Sequence, residues 1–124
     1  MVRSIYIVDD QPEVLEIAVA IIRSVMPEAV ATGFNDPLQA LAAIKANPPD
    51  LILSDQKMPR MSGVQLLEWV RLNYPKTMRL MMTGYADLEE AVEAINRGHV
   101  YRYIPKPWSA EDLQDTLRSA ARTL

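Results

Sequence analysis

Apolar runs of strand length alternate with segments of helical period five times along the chain. The runs fall at Ser4 to Val8, Glu28 to Gly33, Leu51 to Ser54, Met78 to Thr83 and Val100 to Ile104, and their near-continuous apolarity suits strands covered on both faces. Between and after them, apolar residues recur at helical spacing: Val14, Leu15, Ala18, Ile22 and Val25; Leu38, Leu41 and Ala42; Leu66, Leu67 and Val70; Leu88, Ala91, Val92 and Ile95; Leu113, Leu117, Ala120, Ala121 and Leu124. Each stripe reads first as core packing. Asp36 before Pro37 and Ser109 before the acidic turn "AEDL" have the form of helix N-caps, and Gly98 that of a C-cap. Successive βα units predict an α/β fold with one parallel sheet between two helix layers. Right-handed crossovers and the commonest small doubly wound pattern give strand order 2-1-3-4-5.

Length, at 124 residues, fits one domain over 1–124, and 49% hydrophobic with 23% charged residues is ordinary globular composition. A formal charge of -3 provides no basic field for nucleic acid or an anionic membrane. No run reaches the roughly 18 apolar residues of a membrane span. "MVRSIYIVDD" reads as a strand ending on acids rather than a signal peptide, and the absence of cysteine removes disulfides and thiolate metal sites. These features set the expectation of a cytoplasmic protein that binds neither nucleic acid nor membrane directly.

Ligands of a doubly wound sheet sit beyond the carboxyl ends of its strands, where the winding reverses, here between the first and third strands. The strands deliver Asp9 and Asp10, Asp55, Thr83 and Lys106 to that edge. Taken singly, these are an aspartate pair near a helix start, a Thr-Gly turn and a loop lysine. Together they form an acidic crevice whose carboxylates would repel unless one is protonated or a cation lies among them. Oxygen-only donors suit a hard cation, Mg2+ first, with Mn2+ or Ca2+ as substitutes.

"VDD" at Val8 to Asp10, "LILSDQKMPRMSG" at Leu51 to Gly63, "MTGYAD" at Met82 to Asp87 and "YIPKPW" at Tyr103 to Trp108 occur in that order. In this arrangement the chain resembles, over nearly its whole length, the receiver domain of a bacterial two-component response regulator, a flavodoxin-like (βα)5 sandwich. The resemblance implies that Asp55 accepts a phosphoryl group from a sensor histidine kinase or phosphotransfer protein. It implies Mg2+ held by Asp10, Asp55 and the backbone carbonyl of Lys57, with Asp9 acting through water. Lys106 would pair with a phosphoryl oxygen, Thr83 would move to bond another, and the Lys106-Pro107 bond would be cis. Gly63 would let the chain close tightly before the third helix.

Tyr103 stands where receivers carry a switch aromatic and would swing inward after Thr83. The affected surface would comprise the fourth helix, fifth strand and fifth helix, including Ala91, Ile95, His99, Tyr101 and Tyr103, and would meet an output domain, a partner protein or a second copy. Strict alternation puts Tyr101 and Tyr103 on one side of the fifth strand with Arg102 on the other, and Trp108 belongs either to the core or to that face. Gln56, Lys57 and Tyr85 sit at positions that vary in the family and bear on the lifetime of the phosphorylated form. Three other readings compete. An aspartyl-nucleophile phosphatase would want an acid where Lys57 stands, and a flavin binder would want a glycine- or hydroxyl-rich loop where "DDQPE" stands; a non-phosphorylated interaction module would lack one of the site residues. The expected protein is a phosphoacceptor rather than a turnover enzyme, standing alone or fronting a longer regulator. "INRGHVYRYIPKPW" resembles receivers joined to cyclic-di-GMP phosphodiesterase domains or to ATP-driven transcription activators.

Overall fold

The computed structural model describes residues 2–84, 89, 92, 96, 100–106 and 108–124. Strands β1 (Ser4–Val8), β2 (Val30–Phe34), β3 (Leu51–Asp55), β4 (Met78–Gly84) and β5 (Arg102–Lys106) form one parallel sheet in order β2-β1-β3-β4-β5. The described helices are α1 (Pro12–Val25), α2 (Pro37–Ala46), α3 (Gly63–Asn73) and α4 (Ala110–Thr123). The α4 helix is the one expected fifth. Of the helix expected fourth, only Glu89, Val92 and Asn96 are described; they are helical, and Val92, expected in its apolar stripe, is exposed, while the rest, with the Gly98 cap, lies outside the described residues.

Alternation along the central strands builds two cores. Ile5, Ile7, Leu51, Leu53, Leu80 and Met82 pack with Ala18 and Ile22 of α1 and with Leu113, Leu117 and Ala120 of α4. Tyr6, Val8, Ile52 and Met81 face Ala40 and Ile44 of α2 and Val64, Leu66, Leu67 and Val70 of α3. Fully burying one such aliphatic side chain contributes about 1.5–3 kcal/mol. The central strands are therefore the rigid part, and every residue of β3, including Asp55, is buried.

Caps set the helix starts. Asp36 accepts from the Leu38 N–H, and Ser62 and Ser109 each form a reciprocal capping box, with Gln65 and Asp112 respectively. Two strands start two residues later than expected. Pro27 and Glu28 belong to a turn closed by the Ala29 N–H on the Met26 carbonyl, so β2 begins only where Val30 bonds Arg3. The fifth strand runs Arg102–Lys106 and contains Pro105, which an edge strand tolerates because one side needs no ladder donor. Tyr101 thus precedes the strand, and strict alternation does not extend to it. Its hydroxyl engages Ser119 and Thr123 of α4, whereas Tyr103 packs partly against the α2–α3 core. The expected shared aromatic side is not formed by these contacts. Leu124, expected in the last stripe, is exposed.

Candidate functional site

The carboxyl ends of β1, β3 and β5 bring acids and one cation together. Beyond β1, the Asp9 N–H still donates to the Phe34 carbonyl of β2 at 3.0 Å, so the ladder continues one residue past the strand and carries the side chain into the interior. Asp9 is fully buried. One of its oxygens accepts from the Gln11 N–H at 2.9 Å, and the other from Lys106 Nζ at 2.9 Å. Asp55 ends β3 and lies 3.1 Å from the same Lys106 nitrogen. Lys106 ends an edge strand and extends across β4 to reach both acids, which its long aliphatic stem permits.

Asp9, Asp10 and Asp55 each offer an oxygen, and these oxygens lie within 4.8 Å of one another. Asp10 is half-buried. Among the described residues, these three carboxylates face the Lys106 ammonium, and the group they form carries an excess of negative charge. Burial pushes the Asp55 carboxyl up from 3.8 to about 6, the charge of Asp9 adds to the rise, and Lys106 holds it lower than it would otherwise go. For Lys106, burial acts to lower the pKa, but its hydrogen bond to Asp9 and the charges of Asp55 and Asp9 outweigh that and leave it above its ordinary value. An unsatisfied excess of negative charge over oxygen-only donors is the environment a hard divalent cation fits.

Thr83 sits in β4 opposite Pro105, fully buried, with its hydroxyl on the Gly84 carbonyl at a long 3.4 Å. A hydroxyl so weakly engaged gives up little if it turns to another acceptor. Lys57 is exposed and opens the loop after Asp55. Pro107, Tyr85, Ala91, Ile95 and His99 lie outside the described residues, and with them the expected cis bond. Trp108 packs partly against the α1–α4 core and lines a surface cavity with Val14, Ile17 and Lys106.

Two site features escaped the sequence reading. Gln56 is almost fully buried and tied to the start of α3 through its side chain. Arg60 has φ 71°, and the Met61 N–H reaches back to the Pro59 carbonyl at 2.8 Å in a tight three-residue turn. The Arg60 guanidinium meets Asp36, the cap of α2, at 3.0 Å. Only Pro59 hints at that turn, and nothing in the sequence demands an amide at position 56.

A family profile described as the response regulator receiver domain matches residues 5–118. The chain belongs to this family. The receiver is 39% identical over 82 residues to the hydrogenase transcriptional regulatory protein HoxA of Cupriavidus necator, covering 66% of this chain and 17% of that protein. It is 33% identical to the nitrogen assimilation regulatory protein NtrX of Azorhizobium caulinodans, over 100% of this chain and 27% of that one. The matched region thus spans only 17–27% of the length of these relatives. Among solved structures, the receiver domain of NtrX from Brucella abortus superposes with TM-score 0.88 at 30% identity, covering 97% of this chain and 99% of that one. The flavodoxin-like fold and the response-regulator resemblance are thereby established. The assignment favours neither the phosphatase nor the flavin-binding reading. Receivers of this kind are signalling modules, and among the described residues no helix is long and apolar enough to cross a membrane.

Proposed function

We propose that this receiver takes a phosphoryl group onto Asp55 from a phosphohistidine of a sensor kinase or phosphotransfer protein, acting in the cytoplasm as the controlled input of a regulator. The observation that carries this reading is the bridge from Lys106 Nζ to both Asp9 and Asp55, set beside the three-carboxylate cluster. Asp10, Asp55 and the Lys57 carbonyl would hold Mg2+ directly. Asp9 would hold it through water, which suits a carboxylate whose two oxygens are already engaged by Gln11 and Lys106. The cation, when bound, offsets charge on the carboxylate and the incoming group, for which Mn2+ or Ca2+ would substitute.

An Asp55 oxygen attacks phosphorus, the new O–P bond forms as the N–P bond breaks, and the imidazole nitrogen leaves with the electron pair. Lys106 turns its ammonium from Asp55 to a phosphoryl oxygen, and the Thr83 hydroxyl exchanges its long bond for another. Tyr103 then follows the space Thr83 vacates, altering the surface around β5 and α4 through which the receiver meets an output domain, a partner protein or a second copy. The relatives' names suggest control of transcription as the output, with the DNA contact made outside this segment.

Incubation with acetyl phosphate and Mg2+ is expected to add one phosphoryl group per chain, read by intact mass, and a chelator should abolish it. Equal labelling with and without chelated metal would sink the proposal. Protons compete with the cation for Asp55, so Mn2+ affinity should hold above about pH 6 and weaken below it. With one proton displaced, the loss approaches tenfold per pH unit. Isothermal titration across that range checks it, and a flat profile would mean that Asp55 is not a ligand.

A further inference from the structure

Gln56 follows the proposed phosphoacceptor, is 6% exposed, and three of its bonds together shape the next loop. Its N–H donates to the Met82 carbonyl at 3.1 Å, continuing the β3–β4 ladder one residue past Asp55. Its carbonyl accepts from the Gly63 N–H at 2.9 Å, and its side-chain Oε1 accepts from the Val64 N–H at 2.9 Å. The last two close residues 57–62 into a ring with Gln56 on one side of the neck and the first turn of α3 on the other.

Val64 is the second residue of α3, so its N–H is one of the donors a helix leaves unpaired at its start. Val64 is also buried, and that donor cannot turn to water instead. Ser62 serves Gln65, while Gln56 serves Gly63 and Val64. One bond at the neck would leave a hinge about which the ring could swing. Two bonds to successive amides fix its orientation, and the ring begins with Lys57.

We propose that the Gln56 side chain is a positioning residue for the metal: by clamping the loop to α3 it sets the conformation in which the Lys57 carbonyl serves a cation held by Asp10 and Asp55. This rests on the reading of Asp55 as a metal-assisted phosphoacceptor. Gln56 touches neither phosphoryl group nor metal, and its effect passes through the loop. Partners that orient metal ligands in this indirect way are worth about 10–100-fold in affinity when removed.

The full chain is titrated with Mn2+ alone, and free aqueous Mn2+ is read by electron paramagnetic resonance. Gln56→Met keeps the length and removes the acceptor, and it should weaken Mn2+ about tenfold. Gln56→Glu keeps an oxygen for the Val64 N–H at a helix start and should hold affinity within about twofold or tighten it. At saturating Mg2+ the Gln56→Met protein should label with acetyl phosphate at nearly the wild-type rate, because the chemistry is untouched. Should Gln56→Met not fold, Gln56→Asn, one methylene shorter, takes its place with the same readings. A folded variant with wild-type Mn2+ affinity, even one that melts earlier, overturns the proposal by reducing Gln56 to a structural residue. Equal weakening by Met and Glu overturns it as well. Wild-type protein that binds no Mn2+ would instead overturn the phosphoacceptor reading, and the role of Gln56 with it.

Discussion

Asp55→Asn is expected to take up no phosphoryl group from acetyl phosphate and Mg2+ and, without metal, to be more stable than the wild-type receiver above about pH 6. The first half follows from chemistry, since a neutral amide oxygen forms no acyl phosphate. The second follows from the crevice. Folding moves the Asp55 carboxyl from 3.8 to about 6, so the unfolded chain holds its proton less tightly than the folded one. The contribution of this carboxyl to wild-type stability is therefore whole below about pH 4 and is lost as pH rises toward and through about 6. Asparagine carries no such penalty. The gap between the two proteins should open across that window and stay level above it. A displacement of about two units corresponds to about 3 kcal/mol at most, and solvent screening at the open side of the crevice brings it to about 1–2 kcal/mol. Lys106 loses one partner in the variant but keeps Asp9 at 2.9 Å, so no ammonium is stranded. Urea unfolding in chelator at several pH values measures the gap. A variant less stable than wild type at neutral pH would show that the Lys106–Asp55 attraction outweighs the burial of charge.

The acids, threonine and lysine were legible in the sequence because each stands at a strand end. A strand end is set by a hydrophobic pattern, and the winding rule brings such ends to one edge. A core on each face followed from strands apolar along their whole length, as Ile5, Ile7, Leu51 and Leu53 on one face and Tyr6, Val8 and Ile52 on the other illustrate. Tyr101 was misplaced because period two holds only inside a strand, and the pairing that starts β5 at Arg102 is long-range. Gln56 was read only as a variable position beside the acceptor, and its bond to α3 was missed for a related reason. Its place in the interior depends on where α3 begins in space, eight residues on, and a polar side chain beside an acid carries no local mark of a buried partner. Arg60 gave no signal either, because a non-glycine residue at φ 71° is an exception that only its surroundings can enforce.

Gly63→Ala should be far more destructive than Gly33→Ala, costing about 3 kcal/mol or more of stability and at least tenfold in labelling rate. A Cβ at this position would run into the Asp55 carbonyl oxygen and would also lie 3.0 Å from Gln56 Cα and 3.1 Å from the Asp55 carbonyl carbon. All three atoms are backbone, and they belong to or adjoin a buried strand paired with β1 on one side and β4 on the other. The strand cannot yield, so α3 must lift. Lifting it breaks the Gly63 bond to the Gln56 carbonyl and the Val64 bond to the Gln56 side chain, leaving buried donors without partners at the helix start. The neck of the loop then opens beside Asp55, which is why stability and labelling should fall together. Gly33→Ala is the informative contrast. There the nearest atoms are side-chain carbons of Leu15 and Val19 at 3.1–3.2 Å, which can shift by rotation, and that site lies on the edge strand β2. It should cost no more than about 1 kcal/mol and leave labelling unchanged. Urea midpoints and labelling rates of the two variants, measured side by side, test the account. If Gly63→Ala proved no worse than Gly33→Ala, the close approach of α3 to the end of β3 would not be what holds Asp55 in place.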